Sequence, residues 1–221
     1  HGLGNMEMMP DIAICDPEVT VSMPAKITAE TGMDALTHAL EALASTRANY
    51  VSDILATQSA IDIMETLPIA YENGTDMHAR EIMLQASMVA GMAFTNVSLG
   101  IVHSMAHTLG GMFHVAHGLA DAILLPYVIR YNSSDAKAKE VYDTFAKKVG
   151  AENLYEAVEA LNKKLNIPSC LQEVIPDEAA FVEKLDEMAA LAKADGCTKT
   201  NPIIPELEGF KELFMKAYKG E

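Results

Sequence analysis

Four histidines fall within fifteen residues of this chain, in GIVHSMAHTLGGMFHVAHGLADAILLP, and an Asp-His pair stands well before them in TGMDALTHALE. Asp34 and His38 are four residues apart among apolar residues at helical spacing, so both side chains should leave one face of a helix. His103 and His107 repeat this spacing, and His117 follows a Gly-Gly pair that lets the chain turn back. This spacing predicts a fold in which helices bring one carboxylate and three imidazoles together.

Carboxylate and imidazole donors together suit Fe(II) or Zn(II), with one coordination position left for substrate or water. Cys15, Cys170 and Cys197 lie far from the histidines in sequence, which disfavours thiolate ligation. The sequence lacks the glutamate of an H-E-x-x-H hydrolase helix. Each histidine taken alone has an ordinary explanation, as an exposed pair member or a core residue, and we interpret His78 and His114 in this way. The residues alone predict a metal site and leave its reaction open.

At these residues the chain resembles the iron-containing (group III) alcohol dehydrogenases, and the resemblance covers almost all 221 residues. It is also carried by PDIAICDPEVTVSMP, TAETGMDALTHALEALAS and CTKTNPIIPELEGFKELFMKAY, in the family's order and spacing. The sequence is most similar to the alcohol-dehydrogenase half of bifunctional aldehyde-alcohol dehydrogenases and to butanol, propanediol and lactaldehyde reductases. The resemblance implies an all-α, dehydroquinate-synthase-like helical domain.

By position, the resemblance implies that four side chains ligate a divalent metal, Fe(II) or else Zn(II): Asp34, His38, His103 and His117. It also implies that His107 lies beside the nicotinamide and the substrate, and that Phe94 packs near the nicotinamide ring. A metal would acidify an alcohol oxygen or polarise an aldehyde carbonyl, while hydride passes to or from NAD(P). His107 is the candidate proton carrier.

Three positions depart from the family's usual residues: Thr108, Asp121 and Ile203. Asp121 adds negative charge near the site, and Ile203 stands where the family commonly has Arg. We therefore expect substrate or cofactor preference to differ from that of the nearest relatives.

The nucleotide-binding domain that family members carry before this point is not expected here. Gly2 and Gly4 precede no helix, so the Gly-rich dinucleotide fingerprint is missing, and the chain begins at His1. We interpret residues 1–25 as an extended connection to that missing domain and residues 26–221 as the helical metal-binding domain. Within the connection, IAIC is expected to be a short β-strand that joins the missing domain's structure in the whole enzyme and whose edge is exposed or rearranged in this chain. The isolated chain is expected to be inactive, and the full-length enzyme to act on short primary alcohols, diols or aldehydes as a homo-oligomer.

A net charge of −15 and a pI of about 4.8 argue against nucleic acid and anionic membranes as partners. The sequence has no apolar run of membrane-spanning length and no visible signal peptide. We expect a cytoplasmic protein.

Apolar periodicity and capping residues predict nine helices. They cover about 26–46, 50–66, 76–98, 100–112, 118–131, 134–149, 151–165, 177–194 and 206–218. Three other functions stay open: a zinc enzyme similar to glycerol dehydrogenase, a self-associating, filament-forming domain of a bifunctional enzyme, and a helical interaction domain that merely contains histidines.

Overall fold

Helix α1 (Ala25–Ala44) is the central element of the fold. The structure is a computed structural model that describes residues 10–221. Around α1 pack α2 (Tyr50–Glu72), α3 (Met77–Val97) and α5 (His117–Asn132). Because neighbours cover several of its faces, nearly every residue from Met33 to Leu43 is buried. A helix that is apolar on most sides has to lie inside the molecule.

The second half of the chain extends this bundle. Helix α4 packs against α5 and α8, and α8 packs against α9, while α6 and α7 follow α5. The bounds of these helices are Ile101–Phe113 for α4, Ala136–Lys148 for α6, Leu154–Lys164 for α7, Glu178–Ala194 for α8 and Leu207–Lys219 for α9. Short 3₁₀ turns occupy Pro17–Thr20, Leu171–Glu173 and Cys197–Thr200. Over residues 10–221 the chain is helical and contains no strand, which confirms the predicted all-α class.

The helix boundaries follow local capping chemistry. Asp177, the residue before α8, accepts a hydrogen bond from the backbone N–H of Ala180 and so caps the helix. Helix α2 is the main difference, because it continues through Pro68 to Glu72, whereas the sequence predicted an end near residue 66. Pro68 is buried in the bundle, and packing of α2 against α1 and α3 compensates for the backbone donor that the proline removes.

The β-strand predicted over residues 12–15 is not formed within this chain, and its pairing with the missing domain stays a prediction. These residues form no regular structure, and Ile12 and Ile14 are 79% and 86% exposed. A strand needs a neighbouring strand to pair its backbone N–H and C=O groups, and residues 10–221 supply none. Residues 1–9, which include Gly2 and Gly4, lie outside the described part, and the division at residue 25 stays a prediction.

Helices α1 and α5 come into backbone contact at Gly118. A Cβ atom at this position would lie 2.2 Å from the carbonyl oxygen of Glu30 and 3.3 Å from Cβ of Asp34. Only a glycine permits this approach without a shift of one helix. The contact brings the first turn of α5, which carries His117, against the part of α1 that carries Asp34.

Over residues 10–221, no single helix is both long and apolar enough to cross a bilayer. Helices α3 and α4 together have the length and apolar composition of a span, but the pair is bent by 106°.

Candidate metal centre

Three histidine rings surround one oxygen of the Asp34 carboxylate. Asp34 Oδ1 lies 3.6 Å from Nε2 of His38, one turn further along α1. His103 on α4 places Nε2 3.5 Å from the same oxygen, and His117, the first residue of α5, places Nε2 3.7 Å from it. Two atoms that bind one ion, each about 2.0–2.2 Å away, are at most about 4.4 Å apart. Each of these distances fits a pair of atoms that share an ion.

Glu41 fixes the orientation of the buried His103 ring. His103 Nδ1 donates to Glu41 Oε2 over 2.7 Å. The same carboxylate accepts the backbone N–H groups of Gly100 and Val102, at the start of α4, over 2.9 and 2.7 Å. A negative charge is favourable at a helix N-terminus. With Nδ1 held by Glu41, Nε2 is the ring atom available to an ion, and among the described residues it has no hydrogen-bond partner.

Burial keeps the outer rings of the site neutral. Burial lowers the pKa of His38 to about 4, with the neighbouring His103 acting in the same direction. Burial also lowers the pKa of His117. For Asp34, burial raises the pKa, but the close approach of His103 and the charges of His38 and His117 bring it below its usual value. Near pH 7, His38 and His117 are therefore neutral imidazoles and Asp34 is an ionised carboxylate, the forms of these side chains that bind divalent metals.

A second carboxylate, Asp121, lies beside these groups. It is fully buried one turn after His117 on α5, with Oδ2 3.2 Å from His117 Nε2. Ligand atoms of Asp34, His103, His117 and Asp121 all lie within 4.8 Å of one another. The pKa of His103 lies well above its usual value, because the carboxylates of Asp121, Asp34 and Glu41 outweigh the effect of its burial.

His107 lies at the exposed side of the site. Its ring stacks on the His117 ring, with centroids 5.3 Å apart, and its Nδ1 donates to Asp195 Oδ2 over 2.9 Å. Burial raises the pKa of Asp195, but bonds from the Cys197 N–H and from His107 bring it below its usual value. Asp195 thus remains ionised and leaves His107 Nε2 free for exchange of a proton.

Of the other residues considered in the sequence analysis, Phe94 borders the site, and His78 and His114 lie on the surface. Phe94 on α3 stacks on the His38 ring, with centroids 4.5 Å apart. His78 lies in the exposed first turn of α3, and His114 is the exposed left-handed residue that ends α4. Both agree with the interpretation of these two histidines as ordinary surface residues.

Sequence reasoning missed Glu41 and Asp195. Glu41 had a signal, since it is three residues after His38 and seven after Asp34 and so shares their helix face. Asp195 is 88 residues from His107, and no local pattern joins them. Asp121 was noted only as an added charge.

Comparison with known proteins shows the family of the chain. The family described as Fe-containing alcohol dehydrogenase, C-terminal, matches residues 28–218. The chain is 42% identical to the NADPH-dependent butanol dehydrogenase of Clostridium saccharobutylicum, over all of this chain and 58% of that protein. It is 37% identical to an aldehyde-alcohol dehydrogenase of Streptococcus pneumoniae, over all of this chain and 27% of that protein.

Among solved structures, an iron-containing alcohol dehydrogenase from Thermococcus thioreducens superposes with a TM-score of 0.93 at 36% identity. The match covers 98% of this chain and 57% of that one. The chain therefore spans well under two thirds of the length of each of these relatives.

Proposed function

The chain belongs to the Fe-containing alcohol dehydrogenase family, whose C-terminal region it matches, and we propose that it is the metal-binding half of an NAD(P)-linked alcohol dehydrogenase. The observation that carries this proposal is the convergence of three imidazole nitrogens on one carboxylate oxygen of Asp34 at 3.5–3.7 Å. We propose Asp34, His38, His103 and His117 as ligands of Fe(II), with Zn(II) as the alternative.

The unpartnered atoms of the site fit such an ion. Asp34 Oδ1 and His103 Nε2 are buried and have no hydrogen-bond partner among residues 10–221. Buried polar atoms without a partner are costly, by about 1–3 kcal/mol each. A divalent cation between them would satisfy both. When bound, it would supply Lewis-acid chemistry, which lowers the pKa of an alcohol oxygen and polarises an aldehyde carbonyl.

His107 is the proposed proton carrier of this reaction. Its ring is held from one side by Asp195 and lies against the His117 ring, so it has a fixed position beside the ion site. The exposed position of His107 suits exchange of a proton with water or substrate. We also propose that Phe94 and His107 contact the nicotinamide of NAD(P), which the N-terminal half of the full-length enzyme would bind.

The substrate class is proposed by analogy. The relatives named above include a butanol dehydrogenase and an aldehyde-alcohol dehydrogenase, so we propose short primary alcohols or diols and the matching aldehydes. Because the chain spans only part of these relatives, we propose that it does not turn over alcohol with NAD(P) on its own. A cytoplasmic location and a homo-oligomeric full-length enzyme remain predictions from the sequence.

The experiment that tests the proposal is a metal titration of the 221-residue chain. Anaerobic addition of Fe(II), and separately Zn(II), followed by desalting and elemental analysis, should give about one ion per chain. His103→Ala should abolish this binding. His78→Ala is the matched control, since it removes an exposed histidine outside the site and should leave binding unchanged. An unaltered stoichiometry in His103→Ala would contradict the ligand assignment.

A further inference from the structure

Asp121 is a buried carboxylate that the proposed ligand set leaves unused. Its side chain is fully inaccessible to solvent. Neither of its carboxylate oxygens has a hydrogen-bond partner among residues 10–221. The nearest polar atom in an ion pair is His117 Nε2, at 3.2 Å from Oδ2, an atom that the proposed function assigns to the metal. The carboxylate of Asp121 therefore lies beside the site, and no hydrogen-bond donor among residues 10–221 pairs with it.

An isolated carboxylate in this position needs compensation. Removing a carboxylate from water without a partner costs several kcal/mol, more than most single contacts contribute. Either a proton or a cation has to balance the charge.

The position of Asp121 favours the cation. Its ligand oxygen lies within 4.8 Å of ligand atoms on Asp34, His103 and His117, all at once. His38 is outside this particular group, although its Nε2 lies 3.6 Å from Asp34 Oδ1. An ion among these atoms would have two carboxylate oxygens within reach, one from α1 and one from α5.

We propose that Asp121 is a second carboxylate ligand of the metal centre, so that α5 contributes both an imidazole and an oxygen donor. The inference rests on the proposed function, because it requires that this centre bind a divalent ion. The added oxygen makes the donor set harder and increases its negative charge by one. Hard oxygen donors favour Mn(II) and Fe(II) relative to Zn(II) when compared with a site of one carboxylate and three imidazoles. Asp121 thus acts on ion selectivity.

The competing account is a proton shared between Asp121 and Asp34. In that case Asp121 would donate to Asp34, and the ion would be held without it. The two accounts differ in whether residue 121 touches the metal, which can be measured without any assay of catalysis.

The first test is a titration of the 221-residue chain with Mn(II) and with Zn(II), comparing the native chain with Asp121→Asn. We expect Asp121→Asn to lower Mn(II) affinity at least about tenfold, with a smaller loss for Zn(II), because the amide is an uncharged and weaker oxygen donor. Asp53→Asn is the matched control. Asp53 also has an unpartnered carboxylate oxygen, but it lies on α2 beside α6 residues such as Val141 and Phe145.

The second test detects contact between residue 121 and the metal directly. It does not depend on a comparison of metal affinities. In Asp121→Cys loaded with Co(II), a thiolate at position 121 would give a sulfur-to-cobalt charge-transfer band in the near ultraviolet. The native chain provides the baseline. We expect the band in the variant only.

The outcomes separate the two proposals. Ion binding by the native chain with unchanged affinities in Asp121→Asn, or with no charge-transfer band in Asp121→Cys, overturns the role of Asp121 alone. Failure of the native chain to bind any of these ions overturns the proposed function, and the role of Asp121 with it.

Discussion

The carboxylate of Glu41 joins a metal-site histidine to the start of the helix that carries it. Oε2 of Glu41 accepts the Nδ1 proton of His103 over 2.7 Å, while the same group accepts two backbone N–H groups at the first turn of α4. Helix position and ring orientation are therefore set by one side chain of α1. A shift of α4 or a rotation of the His103 ring would move Nε2 of His103 away from Asp34.

The first prediction concerns this link. Glu41→Gln should lower the affinity for Fe(II) or Zn(II) by about 10–100-fold, because a neutral amide orients His103 less firmly and makes it a weaker donor. It should also lower the free energy of unfolding by about 1–3 kcal/mol, through weaker bonds to the two backbone groups. Metal titration and urea unfolding measure the two effects. Glu65→Gln, an exposed change on α2, serves as control and should alter neither.

The second prediction concerns the contact of α1 with α5. Gly118→Ala would place a methyl group 2.2 Å from the backbone oxygen of Glu30, and backbone cannot rotate away as a side chain can. We expect a loss of about 1–3 kcal/mol in unfolding free energy. Gly111→Ala is the matched control, because a Cβ there meets nothing within 4 Å inside α4. That change should stabilise the chain by about 0.5–1 kcal/mol through helix propensity. Equal effects of the two substitutions in urea unfolding would contradict the contact.

The third prediction concerns the reactivity of Cys197. Burial, assisted by the charge of Asp195, raises the pKa of this thiol from 9.0 to about 12. The thiol stays protonated at pH 8, so its alkylation by iodoacetamide should be on the order of a hundred- to a thousandfold slower than that of a small thiol with the ordinary pKa. Peptide mass spectrometry over a time course measures the rate.

The raised pKa of Cys197 also determines how its alkylation rate depends on pH. The alkylation rate of Cys197 should increase with pH up to the limit of protein stability, since only the thiolate reacts. Asp195→Asn removes one of the charges that disfavour the thiolate and should speed the reaction. A rate that levels off below pH 10 would show that the pKa is not raised as described.

The fourth prediction concerns a pair of buried amides that holds the segment after α8. Asn201 Nδ2 donates to Asn132 Oδ1 over 2.7 Å, and Asn201 Oδ1 accepts the N–H of Ile101 over 3.2 Å. Asn201→Leu would leave these groups of α4 and α5 buried without a partner, at a cost of about 2–4 kcal/mol in unfolding free energy. Thermal and urea unfolding test this. Asn96→Leu changes an exposed amide and should cost much less.

Much of the helical architecture could be predicted from the sequence because helix signals are local. Capping residues such as Asp177 and apolar periodicity are read within a few residues of the boundary they mark. The end of α2 was misjudged because tertiary packing around Pro68 outweighed the local preference for a break. The strand predicted over residues 12–15 is absent from this chain for the opposite reason, since a strand exists only with a partner elsewhere in the chain or in another chain.

The residues of the site likewise include some that local sequence patterns predict and others that only the fold brings together. Two pairs at helical spacing, Asp34 with His38 and His103 with His107, marked it in the sequence. Asp195 was not predicted, because its contact with His107 joins segments that are distant in sequence. Such a contact is visible only in the folded structure. Whether Asp34, His38, His103 and His117 are the ligands stays a prediction until the metal titration is made.

The close approach of α1, α4 and α5 at this cluster has a thermodynamic consequence. An ion held by Asp34, His103 and His117 would cross-link α1 to α4 and α5, which lie far from it in sequence. The unfolded chain could not reproduce that arrangement. By mass action, a free-ion concentration a thousand times the dissociation constant would add about 4 kcal/mol to the free energy of unfolding. The melting temperature would then rise with the concentration of free divalent metal. A chelator would lower it, although the apolar core of the helical bundle is unchanged.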